Sequence, residues 1–183
     1  MSNAITDAFT AIADAIRKRT GKTDKMDVAE MPAEIAGIPT GGHGKELIER
    51  TITSYESNDL TAIGSYAFSY CKSLASVSFL AVKTIGESAF ENCDNLSSVD
   101  FPYVTSLGSG ALRFCENLTS VKIGSKNPKV CTMSASDVFY NTPIYSGNGF
   151  IYVPDVLVED YKKATNWAFH ANQIKPLSEA PTT

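Results

Sequence analysis

The chain has 183 residues, 43% of them hydrophobic and 20% charged, the balance of a soluble protein of one or two small domains. A mildly acidic net charge of −4 gives no electrostatic footprint for nucleic acid and does not suggest an anionic membrane surface. No apolar run reaches the roughly 20 residues of a bilayer span, so membrane insertion is not expected either.

Taken from its start, the segment Met1–Asp7 lacks the basic and apolar regions of a secretory signal. A chain made in the cytoplasm, or one already processed, is expected. Ile5, Phe9, Ile12 and Ile16 recur at helical spacing and predict an amphipathic helix from Ile5 to Arg19. Ser2 or Asn3 can cap its start, and Arg17-Lys18-Arg19 suits the negative end of its dipole. A shorter helix is expected over about Val28–Ala36, with Val28, Met31, Ile35 and Ile38 on its apolar face and Asp27 and Glu30 as a capping pair. A helical hairpin over residues 1–38 is too small to bury a core alone. Ile5, Phe9, Ile12, Ile16, Met31 and Ile35 are therefore candidates for anchoring or for homo-oligomerisation, the alternative being a cap on the domain that follows. Pro39-Thr40-Gly41-Gly42-His43-Gly44 marks a linker over 39–46, in which His43 reads as solvated. Leu47–Tyr55 reads as a strand-rich segment on which the next element can stack.

From Ile63 to Ile123 one pattern is written three times. Ile63-Gly64, Ala67-Phe68, Cys71, Leu74 and Val77-Ser78-Phe79 recur as Ile85-Gly86, Ala89-Phe90, Cys93, Leu96 and Val99-Asp100-Phe101. They recur again as Leu107-Gly108, Ala111-Leu112, Cys115, Leu118 and Val121-Lys122-Ile123, always 22 positions on. Self-similarity at that period predicts a solenoid. In each copy the Val-x-Phe/Ile step alternates like a half-buried strand. Ala-Phe/Leu falls in a short helical or irregular turn on the opposite side, and the glycine marks a bend. A cysteine locked to one repeat position reads as a small buried hydrophobe, and a column of three argues for thiols. After Ile123 the pattern loosens. Val138-Phe139 echoes the Ala-Phe turn 27 residues after Ala111, and Cys131 falls outside the cysteine column. A degenerate repeat is expected there, then a turn at Gly147-Asn148-Gly149 and a strand at Phe150–Val153. A closing helix is expected from a cap at Asp155 to about Asn166, with Leu157, Tyr161, Ala164 and Trp167 facing inward, before a short polar tail over 177–183.

These repeats resemble the BspA-like leucine-rich repeats of bacterial surface antigens, the third copy departing with Leu107 and Leu112. The resemblance implies an α/β solenoid, a short stack of 22-residue repeats over 47–176 with an N-terminal helical hairpin and a C-terminal capping strand and helix, used to bind protein or glycan. The leader, Ile12–Lys22 with Met31–Ile38, resembles that of tail-associated structural proteins of bacteriophages and prophages. The end, Ile151–Asp155 with Tyr161–Trp167, is similar to the closing segment of repeat proteins from the same setting.

No P-loop, dinucleotide fingerprint, HExxH or GxSxG is present, so no enzyme and no cofactor is expected. Glu87, Glu91, Asp94 and Asp100 form an acidic cluster around the second repeat, read as a metal or acid–base site or, more simply, as solvated side chains. Candidate binding residues are those pointing away from the core on the strands: Ser76, Ser98 and Ser120 in one column, Ser78, Asp100 and Lys122 in the next. The second column changes completely between copies while the core columns barely change, so packing leaves it free for recognition. The other reading is a merely solvated sheet face. Tyr70, Tyr103 and Phe114 are candidate aromatic contacts on the adjoining turns. Together these features predict a non-enzymatic virion protein of a tail fibre, baseplate or other exposed appendage, partnered by other virion proteins, by its own copies, or by a host surface protein or glycan. The alternative is a bacterial cell-surface adhesin.

Overall fold

The computed structural model describes residues 50–127 and 129–181. The hairpin expected over 1–38, with Ile5, Phe9, Ile12, Ile16, Met31 and Ile35, and the linker over 39–46 lie outside the described residues.

The 22-residue period closes into coils. Long strands β1 (Ser54–Ser57), β3 (Ser76–Phe79), β5 (Ser98–Phe101), β7 (Ser120–Ile123) and β9 (Phe150–Val153) alternate with short ones, β2 (Ala62–Ile63), β4 (Thr84–Ile85), β6 (Ser106–Leu107) and β8 (Thr132–Met133). A coil returns the chain to the same place one layer on, so like strands pair in parallel. The short strands form one sheet in the order β2-β4-β6-β8. Among the long ones, β1 pairs with β3, and β5, β7 and β9 pair in turn, while β3 packs against β5. The turn side is laddered as well, with the opposite polarity. Phe68 N–H donates forward to Ala89 O (2.8 Å) and Phe90 N–H to Ala111 O (2.8 Å), whereas Gly86 N–H donates back to Ile63 O (2.8 Å).

The repeated apolar positions meet inside. Phe68 stacks on Phe90 with ring centroids 5.1 Å apart, Phe79 packs edgewise against Phe68, and Phe101 packs tilted against Phe90. Leu112 and Ile123 end this aromatic ladder in the third coil. Cys71, Cys93, Cys115 and Cys131 are all buried free thiols. Two of them do more than fill space, since Cys93 Sγ donates to Phe68 O (3.1 Å) and Cys115 Sγ to Phe90 O (3.0 Å). In the fourth coil Thr142 takes the cysteine position and donates to Phe139 O at 2.7 Å.

The glycine column has a different cause from the bend expected. A Cβ on Gly86 would stand 2.5 Å from Ser65 N, and one on Gly108 2.5 Å from Glu87 N. Close approach of successive coils, not a left-handed backbone, excludes side chains there. Left-handed residues lie elsewhere in the turns, also in columns: Tyr66, Ser88 and Gly110 before the Ala-Phe pair, and Tyr70, Asn92, Phe114 and Asn141 before the Cys or Thr.

The repeats carry irregular turns, one of the two forms expected, and among the described residues helix enters only in the cap. Three expectations are corrected. Among the described residues the first strand is Ser54–Ser57, so residues 50–53 of the strand-rich segment carry none, while Leu47–Glu49 lie outside the described residues. The closing helix is two short pieces, a 3-10 turn at Asp155–Leu157 and α1 (Val158–Lys163), followed by a 3-10 stretch at Trp167–Gln173. Asp155 does not cap it; its carboxylate accepts from Ser178 N–H at 3.1 Å. Finally, the chain adds a strand not foreseen, β10 (Ile174–Pro176), parallel to β9.

This C-terminal part closes the last coil with side chains. Tyr161 Oη accepts Cys131 N–H (2.9 Å), Trp167 Nε1–H donates to Cys131 O (2.6 Å), and Asn166 Nδ2 donates to Met133 O (2.8 Å). His170 Nε2 lies 3.3 Å from Ser136 O. The β8 edge, which a fifth short strand would otherwise pair, is satisfied by these groups instead. Tyr161 and Trp167 are fully buried, their rings 4.9 Å apart.

Candidate binding surfaces

Alternation along the long strands turns Val99, Phe101, Val121 and Ile123 inward and the intervening residues outward. The register aligns Ser54 with Ser76, and Ser98 with Ser120 and Phe150. It aligns Glu56 with Ser78, and Asp100 with Lys122, Tyr152 and Lys175. All six residues singled out from the sequence thus stand on one strand face. Ser76, Ser98 and Asp100 are exposed, while Ser78, Ser120 and Lys122 are half-buried. Glu56, Phe150, Tyr152 and Lys175 extend the two columns. Glu56 escaped notice because β1 starts later than the apolar pattern implied, although Ser54-Tyr55-Glu56-Ser57 already alternates.

The end of the chain occupies part of this face. Lys122 Nζ donates to Pro181 O at 3.1 Å, and the 3-10 turn Leu177–Glu179 lies against β9. Tyr152 is left only 6% exposed, and Lys175 Nζ sits 4.3 Å from the centre of the Phe150 ring. The expected polar tail is therefore, up to Pro181, a strap across β7 and β9. The open part is the N-terminal half, around Glu56, Ser76, Ser78, Ser98 and Asp100. Surrounding chain desolvates the Asp100 carboxyl and raises its pKa, with Lys122 pulling it partly back. A carboxylate so placed keeps a net incentive to find a donor.

The acidic cluster does not assemble. Glu91 accepts from Arg113 Nη2 at 3.0 Å, Asp94 pairs with Lys72 at 2.9 Å, Glu87 accepts Tyr66 Oη–H at 2.9 Å, and Asp100 lies on the strand face. These are coil-to-coil ties on the turn side. Asp137 adds another, accepting from Ser109 Oγ and Gly110 N–H, both at 3.0 Å. No group of three His, Cys, Asp or Glu side chains gathers to hold a metal among the described residues.

The aromatic candidates divide. Tyr70 and Tyr103 are exposed, whereas Phe114 is half-buried against Tyr140, 5.6 Å away edge to face. Tyr140 in turn meets Tyr145 at 5.2 Å, and both are about half exposed. Beside them a groove of about 510 Å³ is lined by Glu116, Thr119, Asn141, Thr142, Pro143, Ser146 and Asn148. Sequence reading passed over it because it lies where the repeat pattern fails.

Residues 49–175 match the BspA-type leucine-rich repeat region, in six copies. The chain belongs to this family. Three regular copies and a degenerate one were legible in the sequence; the described residues of this BspA-type stack hold six parallel long rungs, β10 included. Comparison with curated proteins finds no match. Leucine-rich repeat domains of this kind point to protein or surface binding. In this BspA-type stack the surfaces available for it are the strand face and the turn side.

Proposed function

We propose that this BspA-type protein is a non-enzymatic component of a bacteriophage particle, at a tail fibre, baseplate or other exposed appendage. Its repeat domain binds a protein or the host surface through the open half of the strand face. The observation that carries the binding role is the contrast between columns. Val99 and Val121, or Phe101 and Ile123, repeat inside, while Glu56, Ser78, Asp100, Lys122 and Tyr152 change chemistry at every rung outside. A fold that needed only solubility would have no use for the order of those groups. The particle setting rests on the resemblance of Ile12–Lys22 and Met31–Ile38 to phage tail-associated leaders. Other virion proteins and further copies of the chain are the partners this reading assigns to residues 1–38.

Removing residues 1–40 is expected to leave a folded repeat domain that no longer enters particles. Unchanged incorporation would sink the particle assignment. Asp100→Arg is expected to abolish attachment to host cells without loss of fold, and full attachment by that variant would exclude the strand face. A bacterial surface adhesin is the second reading, favoured by the family's occurrence in surface antigens. Detection of the protein on intact cells that make no particles separates the two.

A further inference from the structure

The groove on the turn side arises from a change of period. Through the first three coils, turns and long strands both advance by 22 residues. From the third coil to the fourth, the turn moves from Ala111 to Val138, and the long strand that follows it moves from Ser120 to Phe150. Three more residues therefore lie between turn and strand in the fourth coil than in the third. The longer connection, Pro143–Gly149, rejoins the neighbouring coil at Gly149 against Thr119, and a groove lies between its earlier part and Glu116–Thr119.

Its wall is held from within. Thr142 Oγ1 accepts Tyr145 N–H (3.2 Å), Ser146 Oγ donates to Thr142 O (3.0 Å), and Asn148 N–H donates to Pro143 O (2.7 Å). Gly149 presses on the neighbouring coil so closely that a Cβ would stand 2.7 Å from Thr119 O. A wall fixed in this way loses little freedom when something binds. By contrast, the side chains of Glu116, Asn141 and Asn148 have no hydrogen-bond or ion-pair partner among the described residues. One carboxylate and two amides thus point their hydrogen-bonding capacity outward, between two hydroxyls, Thr119 and Ser146, and one proline ring. The volume falls within the ~300–1,000 Å³ of small-molecule sites.

We propose that this groove binds a neutral saccharide, as a site separate from the strand face. The lining sets a carboxylate, two amides and two hydroxyls beside apolar surface, which suits a sugar ring with its vicinal hydroxyls and C–H face. Lys72, the cation of the adjoining column, is already paired with Asp94, so the Glu116 charge is not neutralised and anionic ligands are disfavoured. Tyr145, on the same connection, and Tyr140, packed edge to face against it at 5.2 Å, are half exposed next to the lining residues Asn141, Thr142 and Ser146, where a longer saccharide can meet their rings.

The test is an amide-resolved NMR titration of the full chain with maltotriose, cellotriose and chitotriose, and with sialyllactose and glycerol phosphate as anionic probes. At least one neutral trisaccharide should shift the amides of 116–119 and 141–148 with millimolar affinity, and the anionic probes should not. Glu116→Ala and Asn148→Ala, both at exposed positions, should each weaken that binding about tenfold while Asp100→Ala leaves it unchanged. No shift with any neutral probe, shifts confined to the strand face, or tighter binding of an anionic probe would overturn the proposal. Shifts confined to the strand face would move the saccharide to that surface; the other results leave the strand-face reading untouched, and cell attachment by Asp100→Arg tests it independently.

Discussion

Ser88 is the residue at which this fold is least well served by its own sequence. It sits in the left-handed region at φ 49°, is fully buried, and its hydroxyl finds no partner. A left-handed backbone costs a non-glycine residue about 1–2 kcal/mol, and a buried hydroxyl without a hydrogen bond about 1–3 kcal/mol. Glycine gives back about 0.5–1 kcal/mol through its greater freedom in the unfolded chain. Ser88→Gly should therefore stabilise the protein by about 1–4 kcal/mol, and the third coil already carries Gly110 at this position with φ 59°. Urea unfolding at constant m-value should show the gain directly, and thermal unfolding should show a rise in Tm of roughly 2–4 °C for each kcal/mol. Ser88→Ala separates the two causes, because it removes the hydroxyl and keeps the Cβ; it should recover only the hydroxyl's share, about 1–3 kcal/mol, and fall short of Gly. If Ser88→Gly is neutral or destabilising, or if Ala does as well as Gly, the assignment of backbone strain to this column is wrong.

Gly108→Ala should act in the opposite direction. Its Cβ meets a backbone nitrogen of the preceding coil, which cannot move alone, so a loss of about 3 kcal/mol is expected in the same urea assay. Tyr161→Phe removes the acceptor of Cys131 N–H; a loss of about 1–3 kcal/mol should come with faster hydrogen exchange at the Cys131 amide. The buried thiols set an alkaline limit. Burial pushes Cys71 up to about 11 and Cys131 up to about 12, above the value of a free thiol. The folded state then holds protons that the unfolded chain gives up, so these groups contribute fully below about pH 8.5 and their contribution is lost as pH rises to 11 and 12. Unfolding midpoints measured from pH 7 to 11 should be flat at first and then fall, and a Cys71→Ala, Cys131→Ala variant should lose much of that fall.

The stack was legible because coil-to-coil contact demands the same side chain at the same place. Phe68 above Phe90 and Cys71 below Cys93 are packing constraints that show up directly as spacing. The capping strand and the inward Tyr161 and Trp167 were legible too, but not how they seal β8, because those hydrogen bonds join residues 30–36 positions apart and leave no local signature. The strand at 174–176 ends in Pro176, which is tolerated on the last rung, where its missing N–H has no partner to lose. The left-handed column was hidden by its own mixture: Asn92 and Asn141 announce such a site, whereas Tyr70 and Phe114 disguise it. On the binding face, alternation located the six strand residues, but nothing periodic in Leu177–Pro181 foretold that this segment would lie across Lys122 and Tyr152. The groove was invisible for a simpler reason, since it is made by residues that break the repeat.

The side chains that seal β8 also set a timetable. During synthesis the coils can stack as they leave the ribosome, but the backbone groups of Cys131, Met133 and Ser136 wait for Tyr161, Asn166, Trp167 and His170. At about 5–20 residues per second, the nearly 40 residues from Met133 to His170 take roughly 2–8 s to appear. For that interval the nascent chain presents an open parallel edge, while many chains are being made side by side. Crowded translation, rather than the finished protein, is where this fold is most open to mispairing, and a chaperone that shields strand edges would be needed only until His170 has emerged.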